Sequence, residues 1–348
     1  MKFSLIFFSG DERQKYRFVL DAARFADENG FTAIWTPERH FHRFGGLYAN
    51  PSVLGAALAM TTRRLGIRAG SVVAPLHSPL RIAEEWAMVD NLSRGRVGIA
   101  LATGFSPVDF AFRPENWEDR RSLTWSAVET VRALWEGEPV SVRDGLGNNV
   151  EVELHPQPVQ PTLPLWLACT KSTDTFVTAG RLGCNVLTAL IDMTTEELGE
   201  KLDLYRKTLV EHGHDPEDHT VTLMLHTFLG TDLDEVRETV RGPFTAYLRS
   251  FFTVIDSQKR NLAPGMGVRD MSGGDQDALI AFAFDKYFNK GALLGTPDSC
   301  AHVVERFAGL GVDEIACLID FGVDEPLVVD SLTHLATLRR RFDDEEEG

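Results

Sequence analysis

Short apolar runs of strand length alternate with amphipathic helical stretches through almost the whole chain, and that alternation leaves few folds open. Residues 2–8, 33–36, 65–74, 96–102, 165–169, 185–190, 221–229 and 314–319 read as strands. Between them, residues 15–29, 79–92, 120–135, 173–182 and 195–212 carry apolar side chains at three-to-four spacing and read as helices. Helix-end signals agree with this parsing. Asn29-Gly30 closes the first helix, Thr194 with Glu197 forms a capping box, and Pro297-Asp298 opens a late helix. Eight βα repeats predict one (β/α)₈ barrel over residues 1–348, with an open doubly wound sheet as the structural alternative.

Two segments break the rhythm. Residues 138–164 hold Asp144-Gly145-Leu146-Gly147-Asn148-Asn149 between two β-branched runs, which predicts a small hairpin between the fourth helix and the fifth strand. Residues 251–295 form a longer insertion after the seventh strand, with a Pro264-Gly265 turn and a helical patch over 278–288. Barrels often place a mobile active-site cover in such a position, and residues 251–295 are expected to be one.

Charge excludes some partners. A formal net charge of -16 would repel nucleic acid and anionic membranes, so small molecules or proteins are expected instead. Cys169, Cys184, Cys300 and Cys317 are far apart and form no CxxC pair, which predicts buried free thiols in a reducing compartment. The opening MKFSLIFFSGDE is too short an apolar run for a signal segment or a membrane span. It reads as the first strand, and a cytoplasmic location is expected.

The densest chemistry lies in GFTAIWTPERHFHRFGG, residues 30–46, where a strand stops at Glu38, Arg39, His40 and His42. Barrel enzymes place their reactive groups at such strand ends. Alternate residues on a strand point to one side, so His40-x-His42 suggests either a proton-transfer pair or metal ligands. An amidohydrolase-like metal site would also use Lys171 and Asp320, but the sixth strand ends in Leu190-Ile191-Asp192 without a histidine. No metal is therefore expected. His77, in Ala74-Pro75-Leu76-His77-Ser78-Pro79, either lines the same mouth or caps the next helix. His226, inside the seventh strand, reads first as a satisfied core histidine and second as a pocket-facing one.

A second element suits an anion. Cys169-Thr170-Lys171-Ser172-Thr173-Asp174-Thr175 joins the fifth strand to a helix, so free N–H groups, hydroxyls and one lysine could meet a phosphate. The plain alternative is an N-cap by Ser172 or Thr173. Thr103-Gly104, ending the neighbouring fourth strand, could share the same anionic group. Neither a Walker loop nor a GxGxxG fingerprint is present.

Several ordered motifs together carry a resemblance. Gly30-Phe31 with Trp35, Glu38 and His40-Phe41, then Asn50-Pro51, the run from Gly70 through His77 to Pro79, Asp90-x-x-Ser93-x-Gly95-Arg96, the turn from Lys171 to Thr175, and Gly295-Thr296-Pro297 resemble the bacterial luciferase family of flavin monooxygenases. The stretch TPERHFHRFGGLYANPSV is most similar to luciferase-like monooxygenases found with natural-product assembly lines.

The resemblance implies a barrel that uses reduced FMN, delivered by a separate flavin reductase, and oxygen to form a flavin hydroperoxide that oxidises an organic substrate. It implies that Lys171, Ser172 and Thr175, with Thr103 and Gly104, hold the flavin phosphate. A non-proline cis peptide at Gly70-Ser71 would support the ring, and His40 with His42 would handle protons. Where luciferase has Glu-His-His this chain has Glu38-Arg39-His40, and a guanidinium cannot act as a base near neutrality. That moves the role to His40 or His42, or turns Arg39 into an anion contact. Thr103 replaces an arginine, and Lys171 replaces an acid and could restore the charge. Both exchanges argue against light emission from an aldehyde. The rival readings are a deazaflavin-dependent dehydrogenase of the same superfamily and a flavin-binding protein without turnover. The substrate is a small molecule or a carrier-tethered acyl chain. A homodimer is expected through residues 51–60, which are apolar on nearly every side.

Overall fold

Eight apolar strands pair in parallel and close on themselves. In the computed structural model, which describes residues 1–8, 16–43, 45–191, 193–260 and 273–343 (backbone alone at 252–260 and 273), the elements follow the expected alternation. They run β1 (Lys2–Ile6), α1 (Tyr16–Glu28), β2 (Ala33–Thr36), α2 (Pro51–Thr61), β3 (Gly66–Val73), α3 (Pro79–Ser93), β4 (Val97–Ala102) and α4 (Arg120–Trp135). The hairpin β5 (Val140–Arg143) and β6 (Asn149–Val152) comes next, then β7 (Leu165–Cys169), α5 (Thr173–Arg181), β8 (Asn185–Ala189), α6 (Thr195–Glu211), β9 (Val221–Leu229) and α7 (Leu233–Arg260). The chain ends with α8 (Gly273–Lys286), β10 (Leu293–Gly295), α9 (Pro297–Ala308), β11 (Glu314–Leu318) and α10 (Glu325–Arg340). The barrel order is β1-β2-β3-β4-β7-β8-β9-β11, closed where Val186 pairs with Val221 and Lys2 with Glu314.

The open doubly wound sheet is thereby excluded, because β8 and β9 pair instead of leaving two edges. The hairpin stands where the Asp144 turn placed it. Asp144 Oδ1 accepts from the N–H groups of Leu146 and Asn148, each at 2.8 Å, and holds the reversal. Thr194 and Glu197 form the expected capping box. At α9 the cap is Thr296, which accepts from Ser299 N–H, and Pro297 occupies the first turn.

The insertion after β9 differs in form. α7 continues to Arg260 through Pro243, so its first part is regular helix. The Pro264-Gly265 turn lies outside the described residues. After α8 a π turn at Tyr287–Gly291 leads into β10, which pairs with the upper end of β9, Leu293 opposite Thr227.

The barrel interior is plugged at its lower end by polar groups that fix its floor. Glu314, at the start of β11, accepts from Ser4 Oγ at 2.6 Å and from Trp35 Nε1 at 3.2 Å. Arg68 Nη1 reaches both of its oxygens at 3.0 and 2.8 Å, with the guanidinium 4.9 Å from the Trp35 ring and 4.6 Å from Trp166. A buried ion pair persists only when its hydrogen-bonding capacity is met, and Glu314 is met by three residues, Ser4, Trp35 and Arg68. All four cysteines are free and buried. Among the described residues no helix is long and apolar enough to cross a membrane.

Candidate active site

Above this floor a cavity of about 350 Å³ opens at the C-terminal ends of the strands, as barrel geometry dictates. Glu38, Arg39, Gly70, Ser71, Thr103, Gly104 and Lys171 all line it, together with Phe8, Phe105, Thr188, Met224 and Phe251. His40, His42, Ser172 and Thr175 are not in its lining.

The segment after β2 is braced from several directions. Arg39 N–H donates to Tyr48 C=O at 2.8 Å, and Tyr48 O–H donates to Asp320 Oδ2 at 2.9 Å. Asp320 also accepts from Phe8 N–H at 2.9 Å, so the segment is tied to β1 and to the end of β11. Phe41 has φ +59, so His40-Phe41-His42 is not a strand and the two histidines do not share a face. The expected pair is therefore corrected. His40 Nε2 lies 2.7 Å from Glu38 Oε1, whereas His42 Nε2 leans 3.3 Å from Ser106 Oγ and 3.8 Å from Asp109 Oδ1.

Glu38 is the hub. Its Oε1 also meets His77 Nε2 at 2.6 Å, and its Oε2 accepts from Val73 N–H at 2.7 Å. Burial pushes this carboxyl's pKa up, but the bonds from His40, His77 and Val73 together outweigh burial and hold it below the usual range. His77 is the converse: burial disfavours its charged form, and the Glu38 bond and charge raise its pKa overall. Its ring does not cap α3. Arg39 stacks 3.8 Å over the Phe8 ring, and burial lowers its pKa to about 10, which leaves it cationic at neutrality.

On the facing strands, the peptide between Gly70 and Ser71 is cis, at a shift in the β3–β4 register between Gly70 and Val72. A Cβ on Gly70 would stand 3.1 Å from Trp35 Cβ. Gly104 has φ +74, and a Cβ there would stand 2.8 Å from Phe110 and 2.9 Å from Val73, so close packing requires glycine.

The turn after β7 is open by comparison. Lys171 is exposed, and Ser172 stands at the N-cap of α5 without a side-chain capping bond. Ser172 thus holds the N-cap position of the plain reading, but without the capping bond. Thr175 is buried, its N–H bonded to Ser172 C=O at 3.2 Å. Close by in the lining, buried Thr188 Oγ1 has no hydrogen-bond partner.

The model of the luciferase-like monooxygenase family matches residues 1–314 of the chain. The chain belongs to that family. Among relatives of this luciferase-like monooxygenase, the oxygenase component of a flavin-dependent trigonelline monooxygenase from Acinetobacter baylyi is 26% identical, over 90% of this chain and 85% of that protein. A crystal structure of a monooxygenase from Streptomyces bottropensis superposes with a TM-score of 0.76 at 27% identity, covering 97% of this chain and 98% of the other. Two more distant structures share the fold with TM-scores of 0.72. One is a 3,6-diketocamphane monooxygenase component from Pseudomonas putida in complex with FMN, 18% identical over 97% of this chain and 96% of that one. The other is an F420-dependent secondary alcohol dehydrogenase, 19% identical over 97% and 99%.

For this luciferase-like enzyme, sequence reasoning missed the joint role of Glu38 and His77, since 39 positions separate them and neither spacing nor periodicity links them. It also missed the state of His226. That ring shares the inner face of β9 with Met224, is walled by Phe244 and Tyr247 at 4.6 and 4.7 Å, and has an Nε2 without a partner. Burial lowers its pKa to about 3, so it is a neutral and unsatisfied histidine.

Proposed function

We propose that the chain is an FMN-dependent monooxygenase that takes reduced FMN from a separate reductase and transfers one oxygen atom from O₂ to an organic substrate. The observation that carries this reading is the single cavity in which an uncapped helix start with Lys171 and the Thr103-Gly104 strand end meet Glu38 and Arg39. Its volume of about 350 Å³ suits a cofactor site. Lys171 and Thr103 in the lining, with Ser172 and Thr175 beyond it at the start of α5, would hold the phosphate, and Gly70, Ser71 and Gly104 would flank the ring. The orphaned hydroxyl of Thr188 offers one more hydrogen bond. The name of the Acinetobacter relative, an oxygenase component, and the FMN in the Pseudomonas structure support the two-protein arrangement and the cofactor.

When bound, reduced flavin supplies the two electrons with which O₂ is divided between product and water. The chain's own residues do the rest. Arg39 presents a fixed cation at the wall, and Phe8, Phe105, Met224 and Phe251 keep water out. Glu38, pinned by His40, sets the proton inventory at the cavity edge, with His42 further out on Ser106.

The substrate is proposed to be a small or carrier-tethered molecule in natural-product tailoring, on the likeness of residues 36–53 to such enzymes. A homodimer is proposed through α2 and α3, two helices that pack together and that expose Val53, Met60, Met88 and Leu92. Light scattering on wild type and on Met60→Glu tests it: wild type should have twice the mass of the variant.

Anaerobic titration with reduced FMN, followed by a pulse of oxygen, tests the activity. Tight binding and oxygen uptake are expected. Binding of reduced F420 in preference, with hydride transfer and no oxygen uptake, would instead establish the dehydrogenase reading, which the fold shared with the F420 enzyme favours.

A further inference from the structure

We propose that His77 is the proton port of the active site, taking protons from solvent at a second, small cavity and passing them through Glu38 into the main one. The second cavity has a volume of about 10 Å³, room for about one water molecule. Asn50, Ser52, His77, Arg81 and Glu85 are among its lining residues. Among the described residues Glu38 alone belongs to the linings of both cavities, so its carboxylate is the wall between them.

Two histidines touch the same oxygen of Glu38, and His77 is much the more open of the two. The His40 side chain is 8% exposed, its ring covered by Phe41 and by Phe112 at 4.8 Å. His77 is 32% exposed. Val73 N–H and His40 already fix the carboxylate, so a further donor that opens to solvent adds transport more than position. Ser52 Oγ donates to Glu85 Oε2 at 2.6 Å on the outer side, which makes the entry polar.

The transfer is balanced without any added reagent. The Nε2–H bond of His77 breaks as an O–H bond forms on Glu38 Oε1; the carboxylic acid then gives up a proton to a basic oxygen in the main cavity. Neutral His77 takes the next proton from solvent. Glu38 and His40 face the ring from the segment after β2, Arg81 and Glu85 from α3, and Arg113 from the loop after β4. Glu38 and Glu85 favour its charged form, and Arg113 opposes it.

The proposal rests on the monooxygenase reading only for what consumes the proton, so two measurements separate them. In the apo protein, imidazole ¹⁵N shifts followed through a pH titration should show His77 titrating above free histidine and returning toward it in Glu38→Gln. An unshifted His77 overturns the proposal whether or not flavin binds. With reduced FMN bound and an oxygen pulse, flavin oxidation in His77→Ala should slow by on the order of 10²-fold and recover with added imidazole. His77→Gln, which keeps a donor to Glu38 and fills the space, should be equally slow and gain nothing from imidazole. Oxidation at the wild-type rate in either variant, or a slow His77→Ala that imidazole does not rescue, overturns the port. Failure of wild type to bind reduced FMN would overturn the monooxygenase reading alone.

Discussion

The turn after β2 and the turn after β7 border the same cavity on opposite plans. Around Glu38 three donors converge on one carboxylate, Asp320 ties Tyr48 to β1, and Arg39 is stacked on Phe8. Around Lys171 no side chain caps α5, and the lysine is exposed. One turn is finished by the protein; the other leaves its donors open. Proton chemistry needs groups held in place before the reaction, whereas an anion site needs donors that nothing else has taken.

This contrast can be broken experimentally. Glu38→Ala should have the largest effect, a loss of about 3–5 kcal/mol in unfolding free energy, because it strands three buried or half-buried donors. A urea midpoint close to wild type would mean that the β2 turn is not the braced one. Gly104→Ala should cost about 2 kcal/mol, since alanine must take a positive φ and clash with Phe110. Lys171→Ala should leave the midpoint alone and weaken FMN about tenfold, about 1.4 kcal/mol, with riboflavin binding unchanged. An equal loss for riboflavin would remove Lys171 from the phosphate.

Acid sharpens the same contrast. The Glu38 pKa is depressed from 4.5, so its contribution is complete above pH 4.5 and lost as pH falls through the lower folded value. Stability of wild type relative to Glu38→Gln should therefore shrink below pH 4.5, by about 1.4 kcal/mol per unit of lowering. Lys171→Ala should track wild type across this range. Ser172→Ala should have the smallest effect, under about 0.5 kcal/mol, where a true N-cap would cost about 1 kcal/mol. Calorimetry on the pair of serine and alanine proteins decides it.

Much of the scaffold was legible because its signals are local. Eight apolar runs located the barrel strands to within two residues at either end, and the Asp144 turn located the hairpin. β10 escaped notice because three residues, Leu293–Gly295, carry no period. The long α7 was not among the expected helices, although it carries from Leu233 through Pro243 to Arg260. The His40-His42 pairing failed at one backbone angle, the positive φ of Phe41, which nothing in its side chain announces.

The sequence by itself determined the order of the eight barrel strands, the capping box at Thr194 and the neighbourhood of the reactive residues. Hydrophobic period, capping residues and turn chemistry all act over a few positions. Only the tertiary structure decided that Glu38 meets His77 across β3, that Arg68 and Glu314 plug the floor, that His226 Nε2 is buried without a hydrogen-bond partner, and that Ser172 makes no capping bond to its helix. Those facts depend on which strands become neighbours when the barrel closes, and hydrogen bonds between distant residues exist only after that closure.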